Sequence, residues 1–222
     1  MIDEQRNVMN DELLAIAKST VARYSDRYKK LGRHVHTLGW GSEQQQHYRF
    51  NQVLRATTLH EKSILDIGCG FGDFLSSCLD AGYKPQHYTG WDINPDLIAE
   101  AKQQHPSSNF AVLNLADQEK LEPVAEVGVM LGVLNLNFKE AYDNMAFSKI
   151  MIEKAFSAVS ETLVVDFLSL YRTSSYPEED VVYYHDPAEM LAFALELTPN
   201  VRLLHDYSPI PQKEFMLVLE HV

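Results

Sequence analysis

The stretch Ser63-Ile64-Leu65-Asp66-Ile67-Gly68-Cys69-Gly70-Phe71-Gly72-Asp73 decides how this chain is read. Residues 63–67 form a short apolar run, the pattern of a parallel strand buried on both faces, and the run stops at three glycines in alternate positions. Without a Cβ these positions can turn sharply and let a ligand lie against bare backbone amides, with a helix starting just beyond. Asp66, still on the strand, can accept hydrogen bonds from loop amides or from a ligand ammonium group. Twenty residues after Gly72 stands Asp92, closing a second strand-like run, His87-Tyr88-Thr89-Gly90-Trp91-Asp92. A carboxylate at that tip and separation suits a bidentate grip on a ribose diol, so loop and acid together predict a nucleoside cofactor. A dinucleotide fingerprint would put glycine where Asp73 stands, and a negative charge there disfavours a pyrophosphate.

At these residues the chain resembles the class I S-adenosylmethionine-dependent methyltransferases, whose first motif reads much like 65–72 and whose second ends in an acid like Asp92. The resemblance covers roughly residue 62 to the C-terminus. It implies an α/β, Rossmann-like seven-stranded sheet in the order 3-2-1-4-5-7-6, strand 7 antiparallel, with helices on both faces. It also implies S-adenosylmethionine as cofactor and S-adenosylhomocysteine as product. The cofactor contacts implied are Asp66, Gly68, Cys69, Gly70 and Gly72 in the first motif, then Asp92, Ile93 and Asn94. Asn114 and Leu115 fall where the family contacts adenine; many members have Asp there, and an amide still both donates and accepts. Leu131 and Gly132 fall at the end of strand four, facing the methyl group.

The 222 residues fit one large domain, or a core with an N-terminal extension. We divide the chain into an N-terminal helical lid, 1–60, and a methyltransferase core, 61–222. No apolar run approaches the ~20 residues that span a bilayer, and the first residues are acidic, not the basic-then-apolar pattern of a leader; a cytoplasmic protein is expected. Two cysteines, Cys69 and Cys78, form neither a disulfide framework nor a metal spacing. The net charge of −12 argues against nucleic acid as the main partner. It is uneven: residues 1–60 sum to +3 and the remainder to −15, so a mildly basic lid over an acidic core can attract an anionic small substrate, although an ordinary solvated helix surface reads the same way.

Apolar residues at three- and four-residue steps predict one or two amphipathic helices over 3–30. A glycine-containing loop, 31–41, follows, and Ser42 caps a helix over 43–58. Arg49 on that helix is a candidate for the methionine carboxylate, as some members of the family use an arginine in such a segment, and Trp40 is an apolar cover on the substrate side. Helices are predicted at 73–81, 94–104, 139–158 and 187–197, and strands at 109–115, 126–134 and 162–167. The ending, 201–207 and 215–222 joined by a six-residue link, is too short for a helical crossover and predicts a hairpin. Between strand five and the 187–197 helix runs a long polar and aromatic connection, 169–186, of a length often used for binding.

Two absences narrow the chemistry. There is no Asp/Asn-Pro-Pro-Tyr/Phe sequence for a base or glutamine amino group, and no Pro-Cys nucleophile for cytosine carbon. With no second carboxylate motif at strand four, no metal is expected. Methyl transfer from a sulfonium needs alignment more than acid–base chemistry. A general base is needed only if the acceptor must first lose a proton, and His36, Tyr184 and His185 are the loop candidates. Asn135 can offer an amide to the acceptor, or cap a turn. The expected function is therefore methyl transfer to O or N of a small molecule. A protein methyltransferase and a non-catalytic, cofactor-binding regulatory protein are the alternatives, with an NAD-dependent dehydrogenase as the fold-level one; the oligomeric state is open.

Overall fold

The computed structural model describes residues 2–222 except 120, 175, 177, 207 and 209–211, and for 2–10 the backbone alone. One sheet organises it. Strands β1 (Ser63–Ile67), β2 (His87–Asp92), β3 (Asn109–Val112), β4 (Ala125–Met130), β5 (Val159–Leu168), β6 (Asn200–Leu204) and β7 (Glu214–Glu220) lie in the order β3-β2-β1-β4-β5-β7-β6. All neighbours are parallel except β7, which runs antiparallel to both β5 and β6. The expected fold and its C-terminal hairpin are what the chain adopts; part of the link joining the hairpin, including Tyr207, lies outside the described residues.

Alternation explains the layers. Side chains on neighbouring strand positions point to opposite faces. Leu65, Met130, Val165, Phe167 and Leu217 accordingly join a core cluster with α5 (Asn144–Ser157) and α6 (Pro187–Leu197), whereas Ile64, Val127, Val129, Val164 and Met216 join a second with α2 (Glu43–Ala56) and α3 (Asp73–Asp80). Helix α4 (Pro95–Gln104) adds Ile98 and Ala101 to that second face. Caps set the helix starts: Ser42 Oγ accepts from the Gln45 amide, Asn94 from those of Asp96 and Leu97, and Asp186 from that of Ala188.

The N-terminal periodicity resolves into one helix, α1 (Ile2–Leu31), and no helix among the described residues is long and apolar enough to cross a membrane. α1 is tied to the core through side chains. Ser25 donates to Asp96, the Asn94 amide donates to the Val21 carbonyl and Ser25 hydroxyl, and Tyr28 bonds Glu100.

Element ends moved where local hydrogen bonds outbid the apolar pattern. β4 stops at Met130, short of the expected 134, because Gly132 takes a left-handed φ of +71° and its amide turns 2.6 Å to Asp166 Oδ1. β3 stops at Val112 because Asn114 Oδ1 accepts from the Ala116 amide and opens a 3-10 turn at Leu115–Asp117. α5 begins at Asn144, not 139, since Asp143 Oδ1 accepts from the Met145 and Ala146 amides, with Lys139–Ala141 in a separate 3-10 turn. β5 runs to both sides of its predicted 162–167, held by seven pairs with β7, Thr162↔Glu220 to Leu168↔Glu214.

Candidate active site

Parallel strands deliver their C-terminal ends to one edge, and here three tips converge. Ile67 pairs in register with Trp91 on one side and Met130 on the other. The chain after β1 is drawn toward β2: the amides of Gly68 and Cys69 both donate to the Trp91 carbonyl, at 2.7 and 3.0 Å. Gly68, Gly70 and Gly72 take φ of +73°, +54° and +79°, the left-handed region that disfavours a side chain. Asp92 Oδ2 then accepts from the Gly70 amide at 3.0 Å and Oδ1 from the Asn94 amide at 2.8 Å, so the acid at one tip braces the loop at the other.

A cavity of about 370 Å³ opens over these tips, within the range of roughly 300–1,000 Å³ common for small-molecule sites. Its floor includes Asp66, Gly68, Cys69, Gly70, Asp92, Ile93, Asn114, Leu115, Leu131 and Gly132, all expected from the first, second and later motifs. The roof comes from α1, α2 and the loop between them. A Cβ on Gly70 would meet Leu38 Cδ2 at 2.9 Å, and one on Gly132 would meet the Trp40 ring at 3.0 Å, so the loop between α1 and α2 rests on bare backbone at both places. Gly72 and Asn94 stand behind the wall instead. Gly72 caps α3 against His105 and Phe110, and Asn94, fully buried, ties α4 to α1.

Burial sets the electrostatics. Asp66 lies 3 % exposed, accepts from the Tyr88 hydroxyl, and is pushed up to about 7 by desolvation, with Asp92 and Asp73 adding repulsion. Asp92 is also raised by burial, opposed by the amides it accepts from. Burial pushes the Cys69 thiol well up, which keeps it neutral and removes it as a nucleophile. Asn114 Nδ2 is buried at the cavity wall with no hydrogen-bond partner.

Several expected residues turn out otherwise engaged. Arg49 reaches the cavity wall but is 7 % exposed; its guanidinium bonds Glu214, approaches Asp166 with Nε at 3.5 Å, and stacks under Trp40 with Cζ 4.5 Å from the ring centre. Asn135 also lines the cavity, yet its Oδ1 accepts from the Leu168 amide and its carbonyl from Tyr183. The three general-base candidates are not brought to the cavity. His36 is exposed and bonds the Trp40 carbonyl across the lid turn. Tyr184 accepts from the Glu179 amide and lies under Arg172. His185 is fully buried beside Phe167 and Tyr183, bonds Ser148, and is driven down to about 3 by desolvation, so it stays neutral. Sequence reasoning missed Arg23, Tyr24 and Arg27, which reach the cavity from α1; their three- and four-residue spacing was the available signal.

Residues 65–148 match a family model described as a methyltransferase domain. That match spans 84 of the 222 residues and takes in the glycine turn, Asp92 and Asn114, on which the resemblance to the class I S-adenosylmethionine-dependent methyltransferases rests. Solved methyltransferases share the fold at low identity. Magnesium protoporphyrin IX methyltransferase from Synechocystis PCC 6803, with bound SAH, is 16 % identical with a TM-score of 0.66, covering 94 % of this chain and 99 % of that one. The DhpI–SAH complex is 15 % identical, at 0.63, covering 91 % and 95 %. A TehB-like SAM-dependent methyltransferase from Corynebacterium glutamicum is 16 % identical, at 0.56, covering 90 % and 97 %. No curated protein matches by sequence.

An S-adenosylmethionine-dependent methyltransferase needs a cradle for an adenosyl sulfonium, and the walls fit that group. Bare main chain at Gly68 and Gly70, two carboxylates of different surroundings, and an unpartnered amide donor at Asn114 line one cavity. Among the described residues no group of three His, Cys, Asp or Glu is placed to hold a metal.

Proposed function

We propose that this protein is an S-adenosylmethionine-dependent methyltransferase that moves a methyl group to oxygen or nitrogen of a small molecule held between the cofactor and the N-terminal helices. The observation that carries the reading is the roof: Leu38 and Trp40 sit directly on Gly70 and Gly132, over a cavity of about 370 Å³, the size of a small-molecule site. The charge of −12 points the same way. Residues 1–60 act as the lid and 61–222 as the core, in a protein of the cytoplasm; its two cysteines are free thiols.

When bound, the cofactor supplies a methyl group already activated by the sulfonium charge. The chain's own part is to hold and align. Asp66 takes the ammonium, the amides beyond Gly68 line the amino-acid end, Asp92 takes the ribose diol, and Asn114 with Ile93 and Leu115 receives the adenine, Asn114 Nδ2 donating. Asn94 and Gly72 act from behind, fixing the acid and the loop. Leu131, Gly132 and Trp40 form the apolar wall where the methyl group passes and water is excluded. Arg49 acts as the latch of the lid, with a cofactor carboxylate contact only if it exchanges Glu214 for that group.

Methyl-labelled S-adenosylmethionine offered with a panel of phenols, amines and carboxylic acids, beside protein and tRNA, tests the reading. Label on small acceptors is expected. Label on polypeptide or nucleic acid would overturn it, and S-adenosylhomocysteine binding with no labelled product would move the protein to the regulatory class.

A further inference from the structure

The cavity face of α1 changes character along its length. Leu13, Ile16 and Thr20 line the cavity toward the N-terminal end, and Arg23 and Arg27 line it one turn apart toward the C-terminal end. Four carboxylates share the cavity wall with these arginines, and each has a partner elsewhere. Asp66 is bonded by Tyr88, Asp73 by Arg33 and Gln46, Asp92 by the Gly70 and Asn94 amides, and Glu179 by Tyr176. The third cavity arginine, Arg49, is held by Glu214 and Asp166. Among the described residues no carboxylate forms an ion pair with Arg23 or Arg27.

Both are held in place at the cavity wall. Arg23 Nε is buried with no hydrogen-bond partner. Arg27 lies over the Tyr24 ring at 5.8 Å, with Nη1 3.0 Å from where a Gly39 Cβ would stand, so it is packed between α1 and the loop that follows it. Burial, and then the charge of Arg23, pull the Arg27 guanidinium down. Two like charges held together in a partly dry wall are unfavourable unless an anion joins them, and a pair of guanidinium forks matches the planar oxygens of a carboxylate or phosphate.

Resting on the small-molecule methyltransferase reading, we infer that the acceptor carries a carboxylate or phosphate group and that Arg23 and Arg27 receive it from the lid side of the cavity. The anion would orient the acceptor beneath α1, with its reacting atom turned to the floor at Gly132. The inference sets a substrate class: an acid or phosphate ester with an O or N nucleophile, and not its neutral amide or alcohol counterpart.

The test uses the full chain and the variants Arg23→Gln and Arg27→Gln, with calorimetry on each. S-adenosylhomocysteine should bind wild type and both variants within about twofold, because neither arginine is assigned to the cofactor. On the S-adenosylhomocysteine-saturated protein, salicylate, benzoate and inorganic phosphate serve as anion probes and salicylamide as the uncharged isostere of the first. At least one anion should bind wild type, and each variant should weaken it about tenfold or more, the worth of a lost charge-assisted bond. Salicylamide should be insensitive to both substitutions. Comparing variants at equal ionic strength removes general salting effects. In the ligand-free state each variant should be at least as stable to urea as wild type, because a like-charge neighbour has gone.

No binding by any of the three anions, or anion binding that ignores both substitutions, would overturn the inference. So would a marked loss of stability in both variants, which would make the arginines structural. A variant that weakens S-adenosylhomocysteine but leaves 5′-methylthioadenosine unchanged would assign the arginines to the cofactor's own carboxylate, and would also defeat it. Failure of wild type to bind S-adenosylhomocysteine at all would strike the methyltransferase reading beneath, a distinct outcome.

Discussion

Asp66 and Asp92 show how two carboxylates of the same type acquire different work from their neighbours. Asp92 accepts two backbone amides that would otherwise be orphaned in the loop, and a ribose diol would complete its hydrogen bonding. Asp92→Ala should weaken S-adenosylhomocysteine binding by about 1.5–3 kcal/mol, measured by calorimetry, and unchanged affinity would remove the acid from the ribose site. Asp66 sits near a titration of about 7, so near neutral pH it is only partly ionised before the cofactor arrives. An ammonium pairs with the carboxylate, so binding below that pH must expel a proton. Affinity should therefore fall by up to about tenfold per pH unit as pH drops below 7, and buffers of different ionisation enthalpy should register the released proton. Asp66→Asn should flatten that dependence. The same raised value has an opposite sign for the ligand-free fold: the native state keeps a proton the unfolded chain loses near pH 4, so the stabilising contribution is full below that and lost as pH rises through about 7.

At the scale of elements, the join between lid and core is ionic as much as apolar. α2 sends Arg49 into a pocket between β5 and β7, where Asp166 and Glu214 are 1 % and 2 % exposed. Asp166 also receives the Gly132 amide, so the latch reaches the loop after β4. Burial holds the Asp166 carboxyl up, and Arg49 opposes that shift. Arg49→Met keeps the volume and removes the charge, stranding two buried acids. Urea unfolding at pH 7 should show a loss of about 3–5 kcal/mol. The deficit should shrink toward pH 4 as Asp166, whose carboxyl burial holds up, takes up a proton; a deficit independent of pH would mean that packing against Trp40, not charge, makes the join.

For the whole molecule, the cavity lies between the lid helices and the strand tips, so occupancy and global stability are coupled. S-adenosylhomocysteine at about 100 times its dissociation constant should stabilise the fold by about 2.7 kcal/mol, which for a chain of this length raises the unfolding temperature by roughly 5–11 °C. A scan showing no shift would separate the fold from its cofactor. The sequence by itself determined the glycine turn, the acid at the second tip and the C-terminal hairpin, because these depend on local period, on φ values only glycine tolerates, and on short fixed separations; the order of the sheet came through the resemblance those residues carry. The resemblance also placed Asn114, Leu131 and Gly132 at the cavity, and they line it because β3 ends beside β2 and β4 beside β1. Only the tertiary structure decided what roofs the cavity. Which face of α1 looks inward, that Arg49 finds Glu214 at a separation of 165 residues, and that His185 is walled in by Ser148 and Phe167 are outcomes of packing between distant segments. No local pattern encodes those partners, because a buried charge or ring takes its role from whatever the folded chain brings against it.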